Sequence, residues 1–541
     1  MTAVTRNEEA CRARRQPRRL VLLFDGTWNS AAPRKGTITN VARLRALAER
    51  SGGPTQKVFY LHGVGRGWSA FIGPLWKFVN TITRGLLDPV FGGASGWGLS
   101  RQIREGYALL VREYLPGDEI FIFGFSRGAY AARSLVGLVQ HAGLLTAGHE
   151  RQIQAVTHAY HRLLRGDRHK RTLEQRRGLS HDHVRVRFLG LWDTVGAMGA
   201  PVWGGQFSLN PLPIAPRFHA VNAMSHVDTV CHAVAIDEQR VSYSPVLVDP
   251  DEGNAPKLLR QEWFRGAHAD VGGGYEEVTL SLVPLQWMLA HAHDAGLVFE
   301  HDPAHAATKS VQPQDSIGPF WLAGVWPRPF PLESSGDDMS EGAGRGRLHP
   351  SVNVCTEESA CHDDKSPWLI DLEPGEESGS IVVRSDQFWN NTRVIIRAGA
   401  RYRLRVEGRW QIGGRECGPE GVSNDTWWGR ATRRFLRVPT ARLGELLAIV
   451  NAPPRRTPPT GRLWHALAYL FWKRPEYLVE SVLPWSSLEP DTQGSLLTAE
   501  ASGVLHLSAN SIASRQRRSQ GSFTVRVVRE LDACRDSGGG I

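Results

Sequence analysis

The sequence predicts an α/β fold, a doubly wound and mostly parallel sheet, followed by an all-β sandwich. Three observations predict it. Apolar runs at Arg19–Phe24, Ile120–Phe123, Val184–Trp192 and Thr229–Ile236 are separated by helix-like stretches such as Ala129–Gln140 and Leu280–Ala292, and such alternation builds parallel sheets. A glycine-flanked serine, Gly124-Phe125-Ser126-Arg127-Gly128, sits between one of those strands and the helix after it. Beyond Gly379 the texture changes to short runs with period-two alternation, which reads as a sandwich.

The first strand, Arg19–Phe24, runs into Asp25-Gly26-Thr27-Trp28-Asn29. A similar turn opens phosphatases of the haloacid-dehalogenase type, which carry a nucleophilic Asp two residues earlier. Leu23 stands at that position, so that chemistry is excluded. The serine turn carries more. A serine at a sharp strand-to-helix turn with glycines two positions either side is the nucleophile elbow of an α/β-hydrolase. Gly124 and Gly128 let the strand and helix backbones approach, and Ala129, Ala131 and Ala132 keep the helix tight on the sheet.

An α/β-hydrolase triad runs Ser, then Asp or Glu, then His along the chain. After Ser126, Asp193 follows the strand Val184–Trp192, and His268 lies in the glycine-rich stretch Gly266–Tyr275 ahead of the helix Leu280–Ala292. The division of labour is chemical. A serine hydroxyl attacks an ester only if a neutral imidazole takes its proton, and the imidazole needs a carboxylate on its other nitrogen. Asp237 and Asp270 also lie near strand ends; Asp270, two residues from His268, reads as a brace for the glycine loop. The oxyanion hole is expected from the Arg127 backbone amide and, on the first strand's turn, from Gly26 or Thr27.

Several further segments complete a pattern: Leu22–Asn29, Thr39-Asn40-Val41, Gly63–Gly67, Trp192–Gly196, His232–Glu238 and Leu348–Val352. Together with the elbow and Gly266–Tyr275, they resemble the α/β-hydrolase domain family that includes the type VI secretion lipase effectors of family 1. The resemblance covers roughly residues 18–355. It implies Ser126, Asp193 and His268 as nucleophile, acid and base, and a phospholipase or related carboxyl-ester hydrolase without a cofactor. It also implies a secretion-system carrier, an immunity protein and delivery to the periplasm or membrane of a target cell. The stretch between Tyr275 and Leu348 leaves little room for a large membrane-docking insertion.

The 541 residues exceed what one core usually serves. At 41% hydrophobic and 22% charged, the composition is that of a globular protein, and no run approaches the roughly 18 apolar residues of a spanning helix. Residues 1–17 read as a disordered basic arm carrying Arg12, Arg14 and Arg15. With no apolar stretch there, a signal peptide is not expected, and the chain reads as made in the cytoplasm. The net charge of +10 suits an anionic lipid surface or simply reflects an arginine-rich composition; no nucleic-acid motif accompanies it. Six scattered cysteines do not make a disulfide framework. Cys355, Cys361, His349 and His362 lack zinc-ligand spacing, so no metal is expected.

Polar stretches place a linker at 356–377, the sandwich at 378–531 and a flexible tail at 532–541. Trp389–Thr392, Gly399–Tyr402 and Glu407–Trp410 resemble the jelly-roll of bacterial galactophilic lectins, which hold sugar through calcium. In the matching stretch Leu507–Ser511, Ser511 replaces a carboxylate, which argues against calcium. An aromatic-rich helical insertion is expected near 460–485, read either as a peripheral membrane contact, an interfacial helix dipping into a headgroup layer, or as a helix packed across the hydrolase mouth or between the two domains. Trp68–Phe91 reads either as a cover over a lipid-binding cleft or as ordinary core packing. Two other readings stay open beside the phospholipase: an esterase of soluble substrates, and a non-catalytic glycan- or membrane-binding protein.

Overall fold

The computed structural model describes residues 17–26, 38–51, 53–63, 92–164, 177–181, 183–196, 201–202, 207–208, 221–240, 243–249, 253–299, 313–317, 325–328, 346–353, 369–423, 436, 438, 440–451, 482–491, 493–511, 516 and 518–531. The basic arm up to residue 16, Thr27, the cover segment 68–91, residues 460–481 of the predicted insertion and the tail lie outside them. Two units are present. Residues 1–238, 242–316 and 333–356 form the first, and 239–241, 317–332 and 357–541 the second.

The first unit is built on seven strands: β1 (Arg19–Phe24), β2 (Gln56–Leu61), β3 (Glu119–Phe125), β4 (Val186–Trp192), β5 (Val227–Ala235), β6 (Leu258–Phe264) and β7 (Arg347–Leu348). Their order is β7-β6-β5-β4-β3-β1-β2, and every pairing is parallel. The helices are α1 (Asn40–Ser51), α2 (Gly92–Glu113), α3 (Arg127–Ala142), α4 (Ile153–Leu164), α5 (His268–Gly272) and α6 (Thr279–Asp294).

Side-chain alternation explains why these strands read as unbroken apolar runs. In β1, Leu20, Leu22 and Phe24 join a core with Tyr107 and Leu110 of α2 and Leu135 and Leu138 of α3. Val21 and Leu23 point the other way, into a core with Val41 and Leu44 of α1 and Leu285 and Leu289 of α6. Both faces are covered, so both sets of alternate residues are apolar. The chain order reverses at β1, which has β2 on one side and β3 on the other. Open α/β sheets gather their chemistry at the carboxyl ends of strands beside such a switch point.

Arg133 on α3 is fully buried. Its guanidinium donates to the carbonyls of Val221 (3.1 Å), Val246 (2.5 Å) and Leu247 (3.0 Å) and to Asn222 Oδ1 (2.8 Å). Burial lowers its pKa to about 10, which leaves it cationic at neutral pH. It thereby ties the helix behind the elbow to the turns around residues 222 and 247.

The second unit holds eleven strands among the described residues: β8 (Ile370–Asp371), β9 (Ile381–Arg384), β10 (Asn390–Ile396), β11 (Arg401–Ile412), β12 (Arg415–Cys417), β13 (Leu446–Asn451), β14 (Val482–Pro484), β15 (Glu489–Asp491), β16 (Gly494–Thr498), β17 (Gly503–Ala509) and β18 (Gln520–Arg529). One sheet runs β8-β10-β17-β13-β14; the other runs β9-β18-β11-β16-β15, with β12 on β11. All pairings but β8 with β10 are antiparallel. Val394, Ile396, Leu446 and Leu507 of the first sheet share one core with Tyr402, Leu404, Phe523 and Val525 of the second.

The sandwich departs from the sequence reading in three places. Residues 317–332, read as part of the catalytic domain, belong to the second unit, where Trp326 packs edge-on against Trp389 at 5.6 Å. Leu372, read as linker, is in the sandwich core. Residues 482–484, read as the end of a helical insertion, are the strand β14 paired with β13.

Asn510, in the stretch compared with calcium-binding lectins, is fully buried and spends its side chain on the backbone. Its Nδ2 donates to Val438 O (3.0 Å) and Arg442 O (2.9 Å), and its Oδ1 accepts from Val438 N (3.0 Å). Asn510→Ala strands the buried amide and carbonyl of Val438 and removes a partner from the Arg442 carbonyl, so it is expected to lower the stability of this unit by about 2–4 kcal/mol, read by denaturant unfolding followed by tryptophan fluorescence.

Candidate active site

The register of the parallel strands brings the candidate residues to one edge. Phe125, the last residue of β3, is level with Trp192, the last of β4. Ser126 N then donates to Trp192 O at 3.0 Å, and Asp193 N to Ala233 O at 2.7 Å. Farther along, Ala235 is level with Phe264, the end of β6. Ser126, Asp193 and the turn leading to His268 therefore emerge at neighbouring strand ends.

Both Ser126 and Asp193 have positive φ, 60° and 38°. Such conformations cost about 1–3 kcal/mol each and persist only where surrounding structure over-determines them. At the elbow, the constraint is close packing. A Cβ at Gly124 would lie 2.6 Å from Ala129 Cα, and one at Gly128 would lie 2.3 Å from Phe24 O. Glycine is required at both flanks because the helix start presses on the ends of β1 and β3.

Asp193 is fully buried and His268 nearly so. Asp193 Oδ2 lies 2.5 Å from His268 Nδ1, and Asp193 Oδ1 accepts from Ala235 N at 3.0 Å. With the carboxylate on Nδ1, the proton sits there and Nε2 carries the basic lone pair. The imidazole packs against the Phe125 ring at 4.6 Å and meets Tyr243 edge-on at 4.9 Å. Phe125 directly precedes Ser126, so the imidazole of His268 lies beside the serine turn.

Where the sequence suggested a loop, His268 is the first residue of the short helix α5. Three consecutive amides ahead of and at its start each donate to a different carboxylate. Gly266 N binds Asp237 Oδ2 (2.7 Å), Ala267 N binds Asp270 Oδ2 (2.9 Å), and His268 N binds Glu238 Oε2 (3.3 Å). Asp270 also accepts from Gln314 N at 3.0 Å, and Glu238 from Ser316 Oγ at 3.2 Å. Asp237 and Asp270, weighed in the sequence as alternative acids, thus contact the backbone of the turn, while Asp193 contacts the imidazole.

The expected oxyanion donors are placed unequally. Arg127 opens α3 directly after the elbow, where first-turn amides and the helix dipole favour negative charge. The Gly26 amide is turned away from that role: it donates to Asp25 Oδ1 at 2.7 Å. Thr27 lies outside the described residues. Among the described residues, no group of three or more His, Cys, Asp or Glu is arranged to hold a metal.

Residues 18–291, just over half of the chain, match the model of the family described as T6SS, phospholipase effector Tle1-like, catalytic domain. The chain belongs to this family. A curated relative in Saccharomyces cerevisiae, the uncharacterized protein YEL023C, is 28% identical over 241 residues, which are 43% of this chain and 33% of the relative. The chain thus spans about a third of that relative's length. Among solved structures, an uncharacterized protein from Pseudomonas aeruginosa is 20% identical, with 54% of this chain and 48% of that one covered and a TM-score of 0.30. A Tle1 effector bound to the VgrG spike of the Type 6 secretion system is 22% identical, with 48% and 51% covered and a TM-score of 0.24.

Several residues around this Tle1-like site had no role in the sequence reading. Glu238, Thr39 and Asn40 stood inside quoted motifs without an assigned task, and Tyr243 carried no pattern at all. His232 is another. Thr194 N donates to His232 Nε2 at 3.2 Å, so the ring proton lies on Nδ1, which meets Gln261 Oε1 at 2.7 Å. This neutral, buried imidazole fixes the residue next to Asp193.

Burial raises the Asp270 carboxyl from its ordinary 3.8 to about 6, against the lowering effect of its two amide donors. Between those values the folded protein keeps a proton that the unfolded chain has lost, so stability falls as pH rises across that window. Asp270→Asn keeps an acceptor for Ala267 and Gln314 and removes the titration. It is expected to flatten the fall in stability between pH 4 and 6, worth up to about 3 kcal/mol, in thermal melts run across that range.

Proposed function

We propose that the chain is a lipolytic serine hydrolase that cleaves carboxyl esters of phospholipids, with Ser126 as nucleophile, His268 as base and Asp193 as its partner. The observation that carries this reading is the 2.5 Å contact between Asp193 Oδ2 and His268 Nδ1 beside a strained serine turn. Membership of a phospholipase-effector family supports the substrate class.

In this reading Ser126 Oγ attacks the ester carbonyl carbon while His268 Nε2 takes the hydroxyl proton. The imidazolium that forms is stabilised by Asp193, and the carbonyl oxygen, now negative, is met by the Arg127 amide at the start of α3. Collapse breaks the ester C–O bond. The proton on His268 passes to the departing lysophospholipid alkoxide, and the acyl group remains on Ser126. Water, deprotonated by His268, then releases the fatty acid and restores the serine. The buried carboxylates of Glu238 and Asp270 favour the imidazolium by adding negative potential near it.

The same reading takes the chain as a type VI secretion effector that meets a carrier spike for delivery, an immunity protein in the producing cell and a phospholipid surface in the target. No helix among the described residues is long and apolar enough to cross a membrane.

The test uses mixed phospholipid vesicles with the full chain and its Ser126→Ala variant, and identifies products by mass spectrometry. Fatty acid and lysophospholipid are expected from the parent, with turnover reduced on the order of 10⁴-fold or more in the variant. Ser126-dependent cleavage of short soluble esters with intact vesicle lipid would replace phospholipid by a soluble ester. Turnover of neither would overturn the hydrolase reading.

A further inference from the structure

We infer that Thr39 and Asn40 are positioning residues for the base: they lock helix α5, and with it His268, to the turn that follows strand β1. The inference rests on the triad reading above and adds to it two residues that touch no substrate.

Helix α5 has five residues. A helix that short gains little from its own hydrogen bonds, and its carbonyls are left without helical partners. Its orientation must come from outside. Asn40 supplies it. This residue opens α1 and is fully buried, and its Nδ2 donates both protons into the region of the base: to Val271 O at 2.9 Å, within α5, and to Ser281 O at 2.8 Å, in the first turn of α6. Its Oδ1 accepts from Arg43 Nη1 at 3.0 Å, and the same Arg43 nitrogen reaches Ser281 Oγ at 3.0 Å. Both ends of the segment between α5 and α6 are thereby held by one amide group.

Thr39 extends the lock to the other side of the site. Its backbone bridges Gly273, the residue after α5. Its hydroxyl donates to Asp25 Oδ2 at 2.9 Å and accepts from Ala42 N at 3.1 Å. Asp25 is itself buried at the end of β1, where it also binds the Tyr60 hydroxyl and the Gly26 amide. Its carbonyl lies against Gly128, where an added Cβ would approach to 2.6 Å. A continuous path of hydrogen bonds and tight packing thus runs from the elbow glycine through Asp25, Thr39 and Asn40 to the helix that begins with His268. Neither ligand nor solvent is needed to complete it.

The lock has a chemical consequence. The Nδ1–Asp193 contact and the direction of Nε2 both depend on where α5 sits, and displacements near 1 Å in such groups cost about 10²-fold in rate. The test is labelling of Ser126 by a fluorophosphonate probe on the full chain, which measures a rate constant and the fraction of sites that react. Asn40→Asp keeps the volume and the contact to Arg43 but removes both donors; Thr39→Val removes the hydroxyl, and Thr39→Ser restores it.

Asn40→Asp and Thr39→Val are expected to lower the labelling rate constant and kcat about 10–100-fold, with KM within about 2-fold of the parent. The fraction of sites labelled at completion stays at the parent value, the acid limb of the pH–rate profile moves, and Thr39→Ser returns to the parent rate. A reduced fraction of labelled sites at an unchanged rate constant would show a merely structural role and overturn the inference; so would unchanged kinetics in both variants. Should Asn40→Asp fail to fold, Thr39→Val judged against Thr39→Ser decides by the same split. A parent that does not label at Ser126 would overturn the triad reading, and this inference with it.

Discussion

Everything at the candidate site depends on the register of four parallel strands. The ends of β3 and β4 are level at Phe125 and Trp192, and those of β5 and β6 at Ala235 and Phe264. A slip of one residue would turn every strand side chain to the opposite face. It would also move Asp193 relative to His268, whose contact has no tolerance for a strand-length step of about 3.3 Å. The two covered faces of the sheet prevent the slip, because Leu22 and Leu23, or Phe121 and Ile122, would have to exchange cores. The geometry of the candidate site is inherited from hydrophobic packing several residues away.

That inheritance also explains why strain is tolerated. Ser126 and Asp193 hold positive φ without glycine's freedom, and each is fastened by backbone hydrogen bonds to the adjacent strand end. Gly124 and Gly128 take the opposite part. They remove side chains where α3 meets β1 and β3, so the strain is confined to the residue whose hydroxyl has to project from the turn. The carboxylates of the α5 turn, buried at Glu238 and Asp270 and partly buried at Asp237, act differently again. Asp237, Glu238 and Asp270 satisfy consecutive amides and, in doing so, surround a nearly buried imidazole with acceptors of negative charge.

How much of this was legible in the sequence follows from the range of each interaction. The elbow is local: strand, glycine, serine, glycine and small-residue helix are adjacent, so the motif could be read directly. Asp193 and His268 could be read because chain order and strand-end position restrict the choice. Glu238 and Asn40 could not, although both lay in quoted motifs, since their partners are 30 and 231 residues away. Gly26 shows the reverse failure. The Asp-Gly turn was read as an oxyanion donor, and the aspartate's own side chain captures that amide. In the sandwich, β15 and β16 have only three and five residues and take their pairing from β11 and from each other, which leaves little periodic signal.

The base of the site illustrates a more general constraint. Ser126 and Asp193 directly follow β3 and β4 and borrow rigidity from the sheet, because the residue before each is in a ladder and the amide of each bonds to the adjacent strand. His268 has no strand beneath it, only a five-residue helix and a glycine-rich approach. A residue so placed must be held by contacts distant in sequence, and the structure supplies them from both sides: three carboxylates at the amino end of α5, and the Asn40 amide with the Thr39 bridge at its carboxyl end. The polar groups around these three residues are therefore concentrated on the one that the sheet does not hold. Hydrophobic register fixes Ser126 and Asp193, and hydrogen bonds from residues distant in sequence hold the helix that begins with His268.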